Sequence, residues 1–243
     1  MSDFYVLEPD GLMFGTKWAY ADVVKPSKYG EYDKCPVCHD PVSMKRWLSP
    51  HKVKLSSAKS EKWGDFVWGA GFSLLVSSRF RETYKTEGLT GIGEFSEPVE
   101  IVRMGTRKTG DFPVTPPVYY LIYVPWGGAN QDDQASGLTH ENPEKITCPF
   151  CRSGVSWRKQ NRIVIEEGSW NGSDIFKARN APTRFLVSER FKQIAEKYHF
   201  ANIWLIPSTQ FGYDERMPGL WFVNEEGKKD GQTGNPARPP SLG

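Results

Sequence analysis

Two short stretches, 34-KCPVCHDP-41 and 147-TCPFCRSG-154, hold every cysteine of the chain: Cys35, Cys38, Cys148 and Cys151. Each stretch is a C-P-x-C pair, and the second follows the first by 113 residues. A C-x-x-C pair sets two sulfurs on one tight turn, and the proline after the first cysteine favours that turn by fixing φ. Two such turns brought together make a four-thiolate site of the kind that holds zinc tetrahedrally. Such a site closes a long loop, and a bound ion then contributes folding energy directly. Four protein ligands leave no open position for substrate, so the expectation is one structural Zn2+ ion and not a catalytic one. Other readings stay open: two unbound reduced pairs, an Fe–S centre, or separate sites that recruit His39, His51 or His140. A thioredoxin-like redox pair fits poorly, because no βαβ context surrounds either pair.

The chain has 243 residues, enough for one large domain or two small ones with a real core. Its formal net charge is +2, so it lacks the strongly basic surface that nucleic-acid binders show. No stretch of about 18 apolar residues is present, and residues 1–20 lack the basic and apolar regions of a secretory signal. The expected location is the cytoplasm, where paired thiols read as metal ligands rather than disulfides. The glycosylation-type triplet at Asn171 is then coincidental.

An internal repeat runs alongside the cysteines. LLVSSRF, residues 74–80, follows the first pair, and FLVSERF, residues 185–191, follows the second. The shared core is L-V-S-x-R-F. Its leucine lies 37 residues beyond Cys38 in one copy and 35 beyond Cys151 in the other. An acidic-aromatic step precedes each copy, at Asp65-Phe66 and at Asp174-Ile175-Phe176. In each copy an extended Leu-Val run ends at a serine, Ser77 or Ser188, placed to cap a helix. Residues 189–200 set Phe191, Ile194, Ala195 and Tyr198 on one helical face. Residues 78–89 place Phe80 and Tyr84 likewise, with Gly88 at the helix end. Arg79 and Arg190 occupy equivalent positions, where each can anchor its helix start to a carboxylate or lie on a solvated face.

Further strand patterns cover 99–104, 118–124, 162–167, 203–207 and 219–223. Residues 125–145 read as a long loop and 227–243 as a disordered tail. The expected fold is α+β with mixed, mostly antiparallel sheet. It is a single domain over 1–226, built from two CPxC–strand–LVSxRF–helix units at about 30–124 and 145–222. The four cysteines join the units in a zinc-ribbon-like site.

No catalytic motif of the H-E-x-x-H, P-loop or G-x-S-x-G kind is present. Glu166, Glu167 and Asp174 could be imagined as a hydrolase cluster, but neighbouring strand positions point to opposite faces. Basic residues in 152–162 around Trp157 allow a second reading, a zinc-ribbon module that binds nucleic acid or regulates.

The doubled cysteine pair, the D-F step and the repeated L-V-S-x-R-F element resemble the double-CxxCG immunity proteins of myxobacterial polymorphic toxin systems. The resemblance spans roughly residues 1 to 215. His39 and Arg152 stand where that family has glycine. It implies a non-enzymatic, cytoplasmic antitoxin that binds and neutralises a cognate toxin domain, with no membrane partner. Acidic residues expected at such an interface are Asp132, Asp133, Glu141, Glu144, Glu166, Glu167 and Asp174.

Overall fold

The computed structural model describes residues 3–10, 20–56, 63–70, 73–105, 107–108, 115–214 and 221–223. Residues 227–243, read above as a tail, lie outside that set, as do 11–19 and 215–220. The chain is α+β, mostly sheet with few helices. Its first elements are β1 (Phe4–Glu8), β2 (Tyr20–Val23), β3 (Lys28–Tyr29), β4 (Trp47–Leu48) and β5 (Lys52–Ser56). Then come β6 (Phe66–Ala70), β7 (Ser73–Ser77), α1 (Ser78–Thr86), β8 (Glu94–Pro98), β9 (Glu100–Met104) and β10 (Arg107–Lys108). The middle holds β11 (Tyr119–Tyr123), β12 (Trp126–Asn130), α2 (Asp133–Ser136), β13 (Thr139–His140) and β14 (Trp157–Gln160). The last are β15 (Ile175–Arg179), β16 (Ala181–Ser188), α3 (Glu189–Lys197), β17 (Trp204–Pro207), β18 (Phe211–Asp214) and β19 (Trp221–Val223).

The strands form an eight-stranded sheet in the order β10-β9-β5-β2-β6-β7-β11-β8 and a five-stranded sheet, β12-β15-β16-β1-β17. A four-stranded sheet, β13-β14-β18-β19, and the ribbon β3-β4 complete the architecture. In the first sheet β2 runs parallel to β6, and β6-β7, β7-β11 and β11-β8 are antiparallel. In the second, β12 runs parallel to β15, and β15-β16, β16-β1 and β1-β17 are antiparallel. The registers correspond as well. Tyr119 lies opposite Ser77 as Phe4 lies opposite Ser188, and Ile122 faces Leu74 as Leu7 faces Phe185. The strand beside β7 comes later in the chain, whereas the strand beside β16 is the first of all.

Alternation along the strands sorts side chains to opposite faces. Leu74 and Val76 of β7, with Phe185 and Val187 of β16, enter one central cluster. Leu75 and Leu186, the residues between, enter separate outer clusters. Both helices contribute to the central cluster through Phe80, Tyr84, Phe191 and Ile194. The rings of Phe80 and Phe191 lie 6.2 Å apart, so the helices meet across this core. Fully burying a phenylalanine of this kind contributes on the order of 2–3 kcal/mol.

The helix ends follow the expected chemistry. Ser77 Oγ accepts from the Phe80 N–H at 3.2 Å, and Ser188 Oγ accepts from the Phe191 N–H at 3.1 Å. Each helix closes through a left-handed residue, Gly88 (φ 63°) and His199 (φ 49°). The next N–H turns back, Leu89 to the Tyr84 carbonyl at 2.9 Å and Phe200 to the Ala195 carbonyl at 3.1 Å. This satisfies carbonyls the helix would otherwise leave without partners.

Three expectations differ from the structure. Residues 125–145 are not one loop: they contain β12, α2 and β13. Glycines there read as loop, but Gly128 serves close approach, since a Cβ would lie 2.8 Å from the Phe176 Cβ. Residues 162–167 form no regular strand, and only Ile165 bridges, to Gln131. Pairing also ignores the boundaries drawn at 30–124 and 145–222. β1 and β12 fall outside both segments yet complete the second sheet. Among the described residues no helix is long and apolar enough to cross a membrane.

Candidate metal centre

Each cysteine pair sits on a short knuckle held by its own backbone. In the first, the His39 N–H donates to the Cys35 carbonyl at 3.0 Å and the Cys35 N–H to the Asp40 carbonyl at 2.9 Å. In the second, the Arg152 N–H donates to the Cys148 carbonyl at 2.8 Å and the Thr147 N–H to the Ser153 carbonyl at 3.0 Å. Turning the chain this tightly needs a left-handed residue after the second cysteine. His39 has φ 63° and Arg152 has φ 56°, so both adopt a conformation in which glycine is unstrained.

The knuckles bring all four Sγ atoms within 4.8 Å of one another. The Cys38 and Cys151 sulfurs lie 3.5 Å apart. Zn–S bonds of about 2.3 Å in a tetrahedron imply S–S edges of about 3.8 Å. The cluster therefore fits a single tetrahedral ion, and Cys35, Cys38, Cys148 and Cys151 could hold one. Cys35 and Cys148 are buried, and Cys38 and Cys151 are partly exposed.

The thiols are electrostatically unequal. Burial resists ionisation of Cys35, but the Cys38 and Val37 N–H groups outweigh it and bring the thiol to about 7. The Val37 N–H lies 3.4 Å from Cys35 Sγ. At Cys38 the Asp40 N–H favours the thiolate, yet desolvation and the neighbouring thiols push the group up to about 12. Cys151 is raised, chiefly by burial. A cation among them would favour all four thiolates together.

The histidines considered as further ligands lie elsewhere. His39 is exposed. His51 is buried with Nε2 3.0 Å from the Trp47 carbonyl oxygen. His140 is half-buried, and burial lowers its pKa. Among the described residues only the four cysteines form a metal-ligating group.

The acidic residues considered above divide sharply. Glu141, Glu144, Glu166 and Glu167 are exposed. Asp132 caps α2, accepting from the Ala135 N–H at 2.9 Å. Asp133 is engaged by Arg152 Nε at 2.9 Å and by the Asn180 side chain at 3.1 Å. It thus ties the second knuckle to β15–β16. Asp174 is not a surface residue at all, being only 4% exposed. It accepts from Ser188 Oγ at 2.8 Å, from Arg190 at 2.8 Å and from the Thr90 N–H at 3.0 Å. Its place before L-V-S-x-R-F was legible, but its role is to brace the helix start. Asp65 does the same for Ser77 at 2.8 Å, for Arg79 and for the Ala201 N–H at 2.8 Å. With Asp174 buried and Glu166 and Glu167 in solvent, these carboxylates do not share a cleft. In the basic stretch 152–162, Arg152 is committed to Asp133.

One group escaped sequence reasoning. Asp33, just before the first knuckle, accepts from the Tyr123 hydroxyl at 2.6 Å and from Arg46 at 3.2 Å. Burial, with Asp33 beside it, pushes the Tyr123 phenol up to about 12. Nothing local marks Asp33, because its partner lies 90 residues away.

No protein-family model matches the chain, and a search of curated proteins finds no match.

Proposed function

We propose that the chain is a toxin-neutralising immunity protein of the double-CxxCG kind, with a single structural Zn2+ clasping two like units. The observation that carries this reading is the closed thiolate cluster, whose sulfurs all lie within 4.8 Å of one another. Four thiolates complete a tetrahedral sphere, so an ion held there serves as a fastening and binds no substrate. Function then belongs to the surface. The left-handed backbone at His39 and Arg152 supports the family reading, because those are the positions where the family has glycine. Matching pairing senses in the two large sheets support a duplication in which β1 and β11 are the equivalent strands. On this reading each unit begins with a strand that completes the other unit's sheet. Exposed Glu141, Glu144, Glu166 and Glu167 are the carboxylates available to meet a basic toxin domain that acts in the cytoplasm.

The test starts from the neighbouring genes: a toxin-like reading frame should lie beside this one, and the chain should protect cells from its product. Co-production should restore growth, and the two proteins should co-purify. Reversing Glu166 and Glu167 together, or Glu141 and Glu144 together, should slow association while leaving the melting temperature unchanged. Growth arrest that this chain does not relieve, with no complex formed, would sink the reading.

A further inference from the structure

A groove of about 560 Å³ opens beside the thiolates. Its walls come from four separate stretches: Lys34 by the first knuckle, Tyr123 with 125–127, Phe150 of the second knuckle, and Arg179 at the end of β15. The size lies in the range of small-molecule sites.

Its chemistry is aromatic and cationic. Trp126 and Phe150 meet edge to face with centroids 6.1 Å apart. The Arg179 guanidinium lies 4.1 Å from the Phe150 ring centre. The one acid of the groove, Asp33, is already satisfied by Tyr123 and Arg46. Arg46 itself stacks on Tyr123 at 3.7 Å. Lys34 and Arg179 have no carboxylate partner among the described residues. Two residues before Arg179, on the same face of β15, Lys177 holds its ammonium 4.9 Å from the Phe185 ring centre. Burial lowers the Lys177 pKa, and Asp33 only partly offsets it.

We infer that this groove binds a flat aromatic ring carrying a phosphate, the chemistry of a mononucleotide. The ring packs against Trp126 and Phe150, and the phosphate takes the Arg179 fork and the Lys34 ammonium. Aromatic platforms accept any base through its π-face, and Arg offers paired N–H donors to phosphate oxygens. A dianion matches the pair Lys34 and Arg179 better than a single carboxylate does. This site is independent of the toxin reading.

The experiment is calorimetry on the purified full-length chain at low salt, with AMP, GMP, CMP, UMP, adenosine and inorganic phosphate as probes. At least one nucleotide should bind about tenfold more tightly than both phosphate alone and adenosine. Lys34→Gln and Arg179→Gln should each weaken that nucleotide about fivefold or more. Trp126→Leu should weaken the nucleotide and leave phosphate unchanged. Lys34 is exposed on a knuckle, so its substitution tests charge without disturbing the core. No binding at about 5 mM of any nucleotide, affinity equal to phosphate alone, or full affinity in Lys34→Gln would overturn the assignment.

Discussion

Arg79 and Arg190 close each other's helices. Arg79, at the start of α1, donates to the carbonyls of Tyr198 at 2.8 Å and His199 at 3.4 Å, at the end of α3. Arg190, at the start of α3, donates to the Gly88 carbonyl at 3.2 Å and to that of Glu87, at the end of α1. Each guanidinium is also paired with the aspartate that braces its own helix start, Asp65 or Asp174. α1 and α3 therefore each begin on a local carboxylate and end on the other's arginine. Backbone pairing reinforces the exchange: the Asp65 N–H donates to the Ala201 carbonyl and the Asp174 N–H to the Thr90 carbonyl, both at 3.1 Å.

The first prediction tests that exchange. Arg79→Ala should destabilise the protein by about 1–2 kcal/mol, less than for a fully buried pair because half of the arginine is in water. The distinctive outcome is spatial. Amide exchange should quicken at 198–200 in Arg79→Ala and at 87–89 in Arg190→Ala, each at the far helix. Arg→Lys should not rescue it, because an ammonium lacks the fork that spans carboxylate and carbonyls. Faster exchange confined to each arginine's own helix would refute the cross-capping.

Glu8 supports a prediction about pH. It is 6% exposed and paired with Arg184 at 2.8 Å, yet burial raises its pKa in spite of the arginine. A carboxyl whose folded pKa is raised favours folding when protonated. Its contribution is full below the ordinary value of 4.5 and is lost as pH rises through the folded value. Glu8→Gln should therefore be neutral or stabilising by up to about 1 kcal/mol at pH 7, and it should flatten the stability profile above pH 4.5. Arg184→Met should be destabilising, because it leaves the buried carboxylate alone. Denaturant melts across pH 4 to 8 would decide, and a clearly destabilised Glu8→Gln at pH 7 would contradict the argument.

Removing the metal should be costly. An ion on these thiolates closes a loop of 113 residues between Cys38 and Cys151. Cross-linking a loop of that length constrains the unfolded chain by about 4–5 kcal/mol. The purified protein should carry one zinc. A strong chelator, or Cys35→Ser with Cys148→Ser, should lower the melting temperature by many degrees. Uptake by the apo protein should release protons and weaken on acidification, since the ligands are thiolates. A metal-free protein whose melting is unchanged by the double substitution would remove the site.

Local chemistry was legible in the sequence, and long-range pairing was not. Ser77 and Ser188 could be assigned as caps because the cap bond spans three residues. The cysteine clustering followed from ligand chemistry alone. By contrast, FYVL at the start of β1 carries strand propensity but no mark of its neighbour, which lies more than 170 residues on. Gly-rich β12 was missed because glycine signals a turn unless the residue packed against it is known, here Phe176. Asp174 was placed on the surface because charge alone implies exposure, and its partners Ser188, Arg190 and Thr90 show why it is buried.

The knuckle residues make the sharpest test, because the same backbone geometry predicts opposite outcomes at two sites. His39 and Arg152 both hold a left-handed conformation that costs an ordinary side chain about 1 kcal/mol relative to glycine. His39 is exposed, so His39→Gly should stabilise the protein by about 0.5–1 kcal/mol. Arg152→Gly relieves the same strain but removes the pair with Asp133, a carboxylate that also orients Asn180. That pair is only about a quarter exposed at either end and contributes more than a surface pair does. Arg152→Gly should therefore be neutral or destabilising, by up to about 1 kcal/mol. Adding Asp133→Asn should expose the gain: in that background Arg152→Gly should become stabilising, like His39→Gly. Melting temperatures of the four variants at fixed zinc would check it. Equal stabilisation by both single glycine substitutions would show that Arg152 holds the second knuckle through its backbone alone.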